Sequence, residues 1–317
     1  MADWVSEARS LERGGRRTLI AIGKFDGVHR GHARLLAGAA SLAAERGLQA
    51  AVLTFDPHPA LVLGRAAPPM LTGIAKKAAL IRGVAPELAV VAQRFDRAYA
   101  ALTPRQFAED VLVGQLGARA VVVGQNFRFG KERAGTFDTL QALGGELGFD
   151  VWAEPIAGDE RGRWSSTRVR ASLSTGDLDD ATRVLGRAYG LEGVVTRGRQ
   201  VARTLGCPTA NLTGVETALP AFGVYAVRVS RMDGGVARPL GGGVANIGER
   251  PTLAAGLAVE AHVLDFDGDL YGATLELELV TRLREERRFS GVDELRAQIA
   301  LDVEHARRAL DSAHPSE

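Results

Sequence analysis

The chain of 317 residues has one cysteine, Cys207. A single thiol excludes an internal disulfide and any metal site built from several cysteines. Charge of one sign is not in excess either: 39 Lys and Arg stand against 38 Asp and Glu. That balance gives no electrostatic ground for a nucleic acid or an anionic membrane as the main partner, although local basic clusters can still hold phosphates. Apolar runs are short, and none approaches the roughly 18 residues needed to cross a bilayer. Met1 to Arg17 mix Asp, Glu and Arg without an apolar run, so they do not read as a secretory signal. A cytoplasmic protein in a reducing compartment is the expectation.

What is present is length and apolar content. The chain has about twice the usual single-domain length, so two domains are expected. Hydrophobic residues make up 46%, enough to give each a core. In the first half short apolar runs alternate with amphipathic stretches. Strands are predicted at Thr18–Gly23, Gln49–Phe55, Leu88–Ala92, Ala118–Gly124 and Phe149–Glu154, with a helix over Gly31–Arg46. Thr103-Pro104 offers an N-cap followed by proline at the first helical position. Such alternation predicts a parallel sheet covered by helices, with ligands at the carboxyl ends of the strands. Helical character returns from Ser165 to Arg187. Beyond Tyr189 glycines become dense, with Gly241-Gly242-Gly243 as the extreme. Short alternating runs at Gly190–Thr196, Gly223–Ser230, Val259–Phe266 and Thr274–Thr281 predict an antiparallel barrel, closed by a C-terminal helix over Gly291–Leu310. The boundary is placed near residue 187, giving domains 1–186 and 187–317.

The most informative segment is Gly23-Lys24-Phe25-Asp26-Gly27-Val28-His29-Arg30-Gly31-His32, between the first strand and the first helix. A helix N-terminus offers free N–H groups and a positive dipole end to phosphate. Gly27 and Gly31 let the backbone approach a ligand. His29 and His32, three apart, share a face once the helix begins. Two imidazoles there can bond a triphosphate and stabilise charge developing at the α-phosphate. Two plainer readings stand beside this one. A His-x-x-His metal pair lacks a third ligand at suitable spacing, and two surface histidines without a role leave the glycines unexplained. Gly124 to Lys131 is not a P-loop, because its glycines are one residue too far apart and Glu132 stands where Ser or Thr holds magnesium. No Gly-x-Gly-x-x-Gly follows the first strand, so the dinucleotide fingerprint is absent.

Phe25-Asp26-Gly27-Val28-His29-x-Gly31-His32 resembles the signature of the FMN adenylyltransferase domain of bacterial FAD synthetases, within the wider nucleotidyltransferase group. Thr54-Phe55-Asp56-Pro57-His58-Pro59, Gly124-Gln125-Asn126-Phe127-Arg128-Phe129-Gly130 and Trp164-Ser165-Ser166-Thr167-Arg168-Val169-Arg170 resemble that family's further motifs, in order. The resemblance implies an α/β parallel-sheet, Rossmann-like nucleotidyltransferase domain. It implies that His29, His32 and Arg170 bind ATP phosphates and assist transfer. It places Gly23, Phe25, Asp26, Gly27, Gly31, Ser165, Ser166 and Thr167 at the ATP and phosphate site, and Asn126, Phe127 and Arg128 against the flavin. The substrate's own phosphate attacks, so no protein nucleophile is required.

In the second half Gly206-Cys207-Pro208-Thr209-Ala210-Asn211 resembles the core motif of riboflavin kinases. A hydroxyl and an amide oxygen two residues apart in an extended chain lie on one side. They suit a magnesium ion that also carries ATP phosphates, and the resemblance makes Thr209 and Asn211 that pair. It further implies that Gly198 and Arg203 contact ATP, that Glu260 is the general base for the riboflavin 5′-hydroxyl, and that Arg284 and Phe289 lie at the flavin ring. Without the resemblance, Glu260 reads as a half-buried strand carboxylate paired with an arginine. Asp265, Asp267, Asp269 and Glu276 have calcium-loop spacing, but Leu270 replaces the required glycine and the flanks read as strands. His262 reads as structural.

The resemblance thus implies an antiparallel riboflavin-kinase-like barrel behind the α/β domain, and two linked reactions. Riboflavin and ATP give FMN and ADP in the barrel; FMN and ATP give FAD and pyrophosphate in the α/β domain. Magnesium accompanies ATP in both, and flavins are substrate and product. Ala202 stands where the family carries glycine, and Cys207 where it carries phenylalanine. They keep open an alternative, an FMN adenylyltransferase alone with a kinase-impaired, flavin-binding barrel.

Overall fold

The computed structural model describes residues 17–197, 208–249 and 257–312; Gly198, Ala202, Arg203 and Cys207 lie outside the described residues. The chain divides into two compact units, Met1–Ser165 and Ser166–Glu317.

The first unit is built on five parallel strands: β1 (Thr18–Ile22), β2 (Gln49–Asp56), β3 (Ala89–Arg94), β4 (Ala118–Gly124) and β5 (Asp150–Glu154), in the order β3-β2-β1-β4-β5. Period-two alternation sends β1 side chains into two cores. Leu19 and Ala21 pack with Leu36, Ala39 and Ala43 of α1 (Arg30–Glu45) and with Ala78 and Ile81 of α2 (Ile74–Val84). Ile20 and Ile22 pack on the other face. There they meet α3 (Pro104–Gln106), which continues as a π-helical stretch over Phe107–Gln115, and α4 (Phe137–Leu147). Thr103 caps α3 as its sequence predicts: its hydroxyl accepts from Gln106 N at 3.2 Å, and Gln106 Oε1 accepts from Thr103 N at 2.9 Å. A two-stranded ribbon, β6 (Gly158–Asp159) and β7 (Gly162–Arg163), follows the sheet and is not evident in the sequence. Because β1 lies between β2 and β4, strand order reverses there and opens a crevice at the carboxyl ends.

The second unit begins with α5 (Ser166–Thr175) and α6 (Leu178–Leu185), tied by Arg168, which pairs with Asp180 at 2.6 Å. Six strands then form a closed antiparallel barrel: β8 (Tyr189–Thr196), β9 (Ala210–Thr213), β10 (Gly223–Asp233), β11 (Val236–Glu249), β12 (Leu257–Val263) and β13 (Thr274–Arg284). The order around it is β10-β11-β12-β9-β8-β13. Helix α7 (Val292–Ser312) packs on it. Two strands differ from the sequence-based expectation. Strand β9 was not anticipated, and β11 runs straight through the glycine triplet that reads as turn-rich. The triplet is a packing requirement. A Cβ at Gly242 would lie 2.5 Å from Leu310 Cδ1 of α7, and one at Gly243 2.8 Å from His262 O.

Candidate active sites

The loop after β1 is tightly bent. Phe25 (φ 49°), Gly27 (φ 81°) and Val28 (φ 39°) all occupy the left-handed region. A non-glycine residue there costs about 1–3 kcal/mol, and a β-branched one is rare. What holds the loop is Asp26, only 3% exposed. Its Oδ1 accepts from Leu71 N (2.9 Å), Thr72 N (3.2 Å) and Thr72 Oγ1 (3.4 Å), while Gly27 N donates to Thr72 Oγ1 at 3.1 Å. Asp26, expected at the phosphate site, therefore engages the 71–72 segment with that oxygen. Thr72 is a loop-shaping residue that the sequence reading missed, since it lies 46 positions away.

His29 is the N-cap of α1: its Nδ1 accepts from His32 N at 3.2 Å. That nitrogen carries no proton, so the neutral ring holds it on Nε2 as a donor. The two imidazoles stack with centroids 3.6 Å apart and planes 19° apart, and Phe25 meets His32 edge-on at 5.2 Å. Burial holds His32 well below the ordinary histidine pKa, and the neighbouring His29, Lys77 and Lys24 lower it further. Among the described residues its buried Nδ1 has no hydrogen-bond partner. Gly31 makes room for a ring: a Cβ there would lie 3.1 Å from His29 Cε1. The close approach that this glycine permits in the structure is to the His29 ring.

Ile22 and Val123 are register partners, so the loop after β4 borders the same crevice. Phe127 N donates to Gly124 O at 2.9 Å, and Gln125 N to Glu154 O at 3.1 Å. Asn126 and Arg128 are exposed beside it. Half-buried Phe127 stacks on Phe129 at 5.5 Å, and Phe107 and Tyr99 extend that aromatic row inward. Ser165 closes the first unit. Ser166 and Thr167 open α5, and Arg170 lies half-buried one turn on.

Three of the residues expected at the barrel site, Asn211, Glu260 and Arg284, share one row. Asn211 is the register partner of both Thr196 and Glu260, and Glu260 of Asn246. Asn246 pairs with Val224, and Val224 with Arg284. Directly opposed residues point to the same face. Leu212, Ala245, Ile247, Val259 and Ala261 fill the interior, so Asn211, Glu260 and Asn246 occupy the other face. Asn211 is nevertheless only 7% exposed, and Thr209 precedes it by two positions. Arg284 is firmly held: Nε and Nη2 donate to Asp302 of α7 at 2.8 to 3.1 Å, with Phe289 against its guanidinium at 5.7 Å. Asn246, missed as a site residue, donates from Nδ2 to Glu286 Oε1 at 3.4 Å. His262 Nδ1 bonds Pro208 O at 2.9 Å. Asp265 pairs with Arg307, and among the described residues no group of three or more His, Cys, Asp or Glu could hold a metal ion.

A parallel sheet with a stacked imidazole pair in the loop at its switch point, followed by a barrel with a carboxylate–amide row, fits a two-unit transferase acting on nucleotide phosphates. A FAD synthetase family model matches residues 12–168 and a riboflavin kinase model residues 185–310. The bifunctional riboflavin kinase/FMN adenylyltransferase of Escherichia coli K12 is 40% identical over 300 residues, covering 94% of each chain. That of Bacillus subtilis is 36% identical over 301 residues, covering 92% of each. The chain belongs to the bifunctional riboflavin kinase/FMN adenylyltransferase family and carries both activities, against the alternative of an adenylyltransferase alone. A crystal structure described as a macrolide-efflux protein from Streptococcus pneumoniae shares the fold, with a TM-score of 0.79 at 28% identity, covering 92% of this chain and 94% of that one. Among the described residues no helix is long and apolar enough to cross a membrane.

Proposed function

We propose that residues 1–186 carry adenylyl transfer, with His29, His32 and Arg170 on the phosphates of ATP. A phosphate oxygen of FMN attacks the α-phosphorus, the bond to the β-bridging oxygen breaks, and pyrophosphate leaves. His29 donates from Nε2, and neutral His32 adds a second donor. Gly23, Phe25, Gly27 and Gly31 shape the loop, Ser165, Ser166 and Thr167 contribute hydroxyls, and Asn126, Phe127 and Arg128 hold the flavin nucleotide. The observation that carries this reading is the stacked imidazole pair at the carboxyl end of β1, where strand order reverses.

Residues 187–317 carry phosphorylation of riboflavin. Glu260 takes the proton of the 5′-hydroxyl as its oxygen attacks the γ-phosphorus and ADP leaves. Its place between Asn211 and Asn246 supports this role over that of an arginine-paired strand carboxylate. Thr209 and Asn211 offer neutral oxygens, a donor set that fits magnesium. They would hold the ion, which when bound offsets phosphate charge. Gly198 and Arg203 are assigned to ATP, Arg284 and Phe289 to the flavin ring. The cytoplasm is the proposed location. Chromatography of products from ATP, magnesium and either riboflavin or FMN tests the whole reading. FAD from both substrates is expected; no flavin product from either would sink it.

A further inference from the structure

Helix α2 turns Lys77, Ala78 and Ile81 inward. Lys77 is only 2% exposed. An ammonium on the inward face of a helix loses its hydration, and proteins keep one there where opposite charge meets it. Asp26 and Asp56 are the acidic groups that act on it, and Lys24 the basic one. Neither carboxylate closes on it: no ion pair to Lys77 forms among the described residues. Burial, the larger effect, holds its amine below the usual lysine range, against the pull of Asp26 and Asp56.

The position of this cation follows from hydrogen bonds. Leu71 and Thr72, just ahead of α2, are bonded to Asp26 and to Gly27 N, which clamps the start of α2 to the loop before α1. The ammonium acts on His32, one of the stacked imidazoles. His32 is neutral at physiological pH, and His29 has its Nδ1 occupied as a cap. The histidine pair therefore supplies donors and little charge. A bound triphosphate, and the pyrophosphate that departs from it, call for fixed positive charge at the floor of the crevice.

We propose that Lys77 is a phosphate-binding residue of the adenylyl-transfer site, meeting the β- and γ-phosphates of ATP that leave as pyrophosphate. The proposal rests on the reading of the Gly23–His32 loop as the ATP site. As the bond from the α-phosphorus to the bridging oxygen breaks, its electron pair passes to pyrophosphate. Lys77 offsets that charge and transfers no proton.

The test compares full-length wild type with Lys77→Met, Lys77→Arg and His32→Ala. It measures FAD formation from FMN, the KM for ATP and inhibition by added pyrophosphate. Circular dichroism and riboflavin phosphorylation by the other unit check that each variant is folded. Lys77→Met is expected to weaken pyrophosphate inhibition at least tenfold and to raise the KM for ATP, and Lys77→Arg to restore most of both. Inhibition of the wild type should also fade at alkaline pH ahead of Lys77→Arg, since a guanidinium keeps its proton. Asp26, Asp56, Lys24 and His32 face residue 77 in both proteins, so the comparison isolates it. Unchanged inhibition and KM in folded Lys77→Met overturn the proposal and leave the ATP site standing. Should Lys77→Met not fold, identical pH dependence of wild type and Lys77→Arg overturns it. Undiminished FAD formation by His32→Ala would instead remove the reading of the loop, and the proposal with it.

Discussion

At the residue scale, what matters is which neighbour each side chain answers to. Gly31→Ala places a methyl against the His29 ring, so it should cut FAD formation by more than tenfold while the thermal midpoint moves little; an unaltered rate would mean that the ring has room. Glu260→Gln removes a base from the barrel, and FMN production from riboflavin should fall roughly a hundred- to ten-thousand-fold. His32 makes a prediction about pH. The unfolded chain takes up a proton at this residue near pH 6.5, the folded protein only well below that. Between the two values the unfolded state binds more protons, so stability rises with pH. The contribution is complete above about pH 6.5 and is lost as the pH falls below it. Thermal midpoints measured from pH 7 down to pH 5 should drop more steeply for wild type than for His32→Gln. His29 and His32 could be singled out from a local motif, whereas Glu260 was singled out only through the family resemblance. Thr72, Lys77 and Asn246 were not, because each reaches its partners through the fold from a distant part of the chain.

At the element scale, periodicity found the five strands of the parallel sheet and four of the six barrel strands, often within a residue or two. Strand β1 and α1 differ from their expected spans by a residue at the ends. The short β6–β7 ribbon, β9 and β11 were missed, and for β11 the cause is physical: glycines that signal turns in isolation can also mark where a helix lies flush on a strand. Gly242 sits under Leu310 in this way. The same helix carries Asp302, 3% exposed, which holds Arg284 at the end of β13. Asp302→Ala leaves that guanidinium without its carboxylate and should destabilise the barrel by about 1–3 kcal/mol. Denaturant titration checks this, and a shift below 0.5 kcal/mol would argue that α7 is held by its apolar contacts alone.

At the scale of the whole molecule, two units imply two separable activities. His32→Ala should abolish FAD formation and leave riboflavin phosphorylation intact. Glu260→Gln should do the reverse, still converting supplied FMN to FAD. Loss of both reactions in either variant would point to one shared catalytic centre. Composition and length had already indicated two cores, and the dense glycines beyond Tyr189 marked the change of architecture.

The closed barrel also has a consequence for synthesis. Strand β8, its first, must pair with β13, its last, and β13 ends at Arg284. The parallel sheet, by contrast, is complete at Glu154. On the ribosome the adenylyl-transfer half can therefore fold while the barrel is still being translated. The barrel must wait for nearly the whole chain, and until then its strands present open edges to their surroundings. For much of each round of translation, that half of the nascent protein is the one in need of shelter.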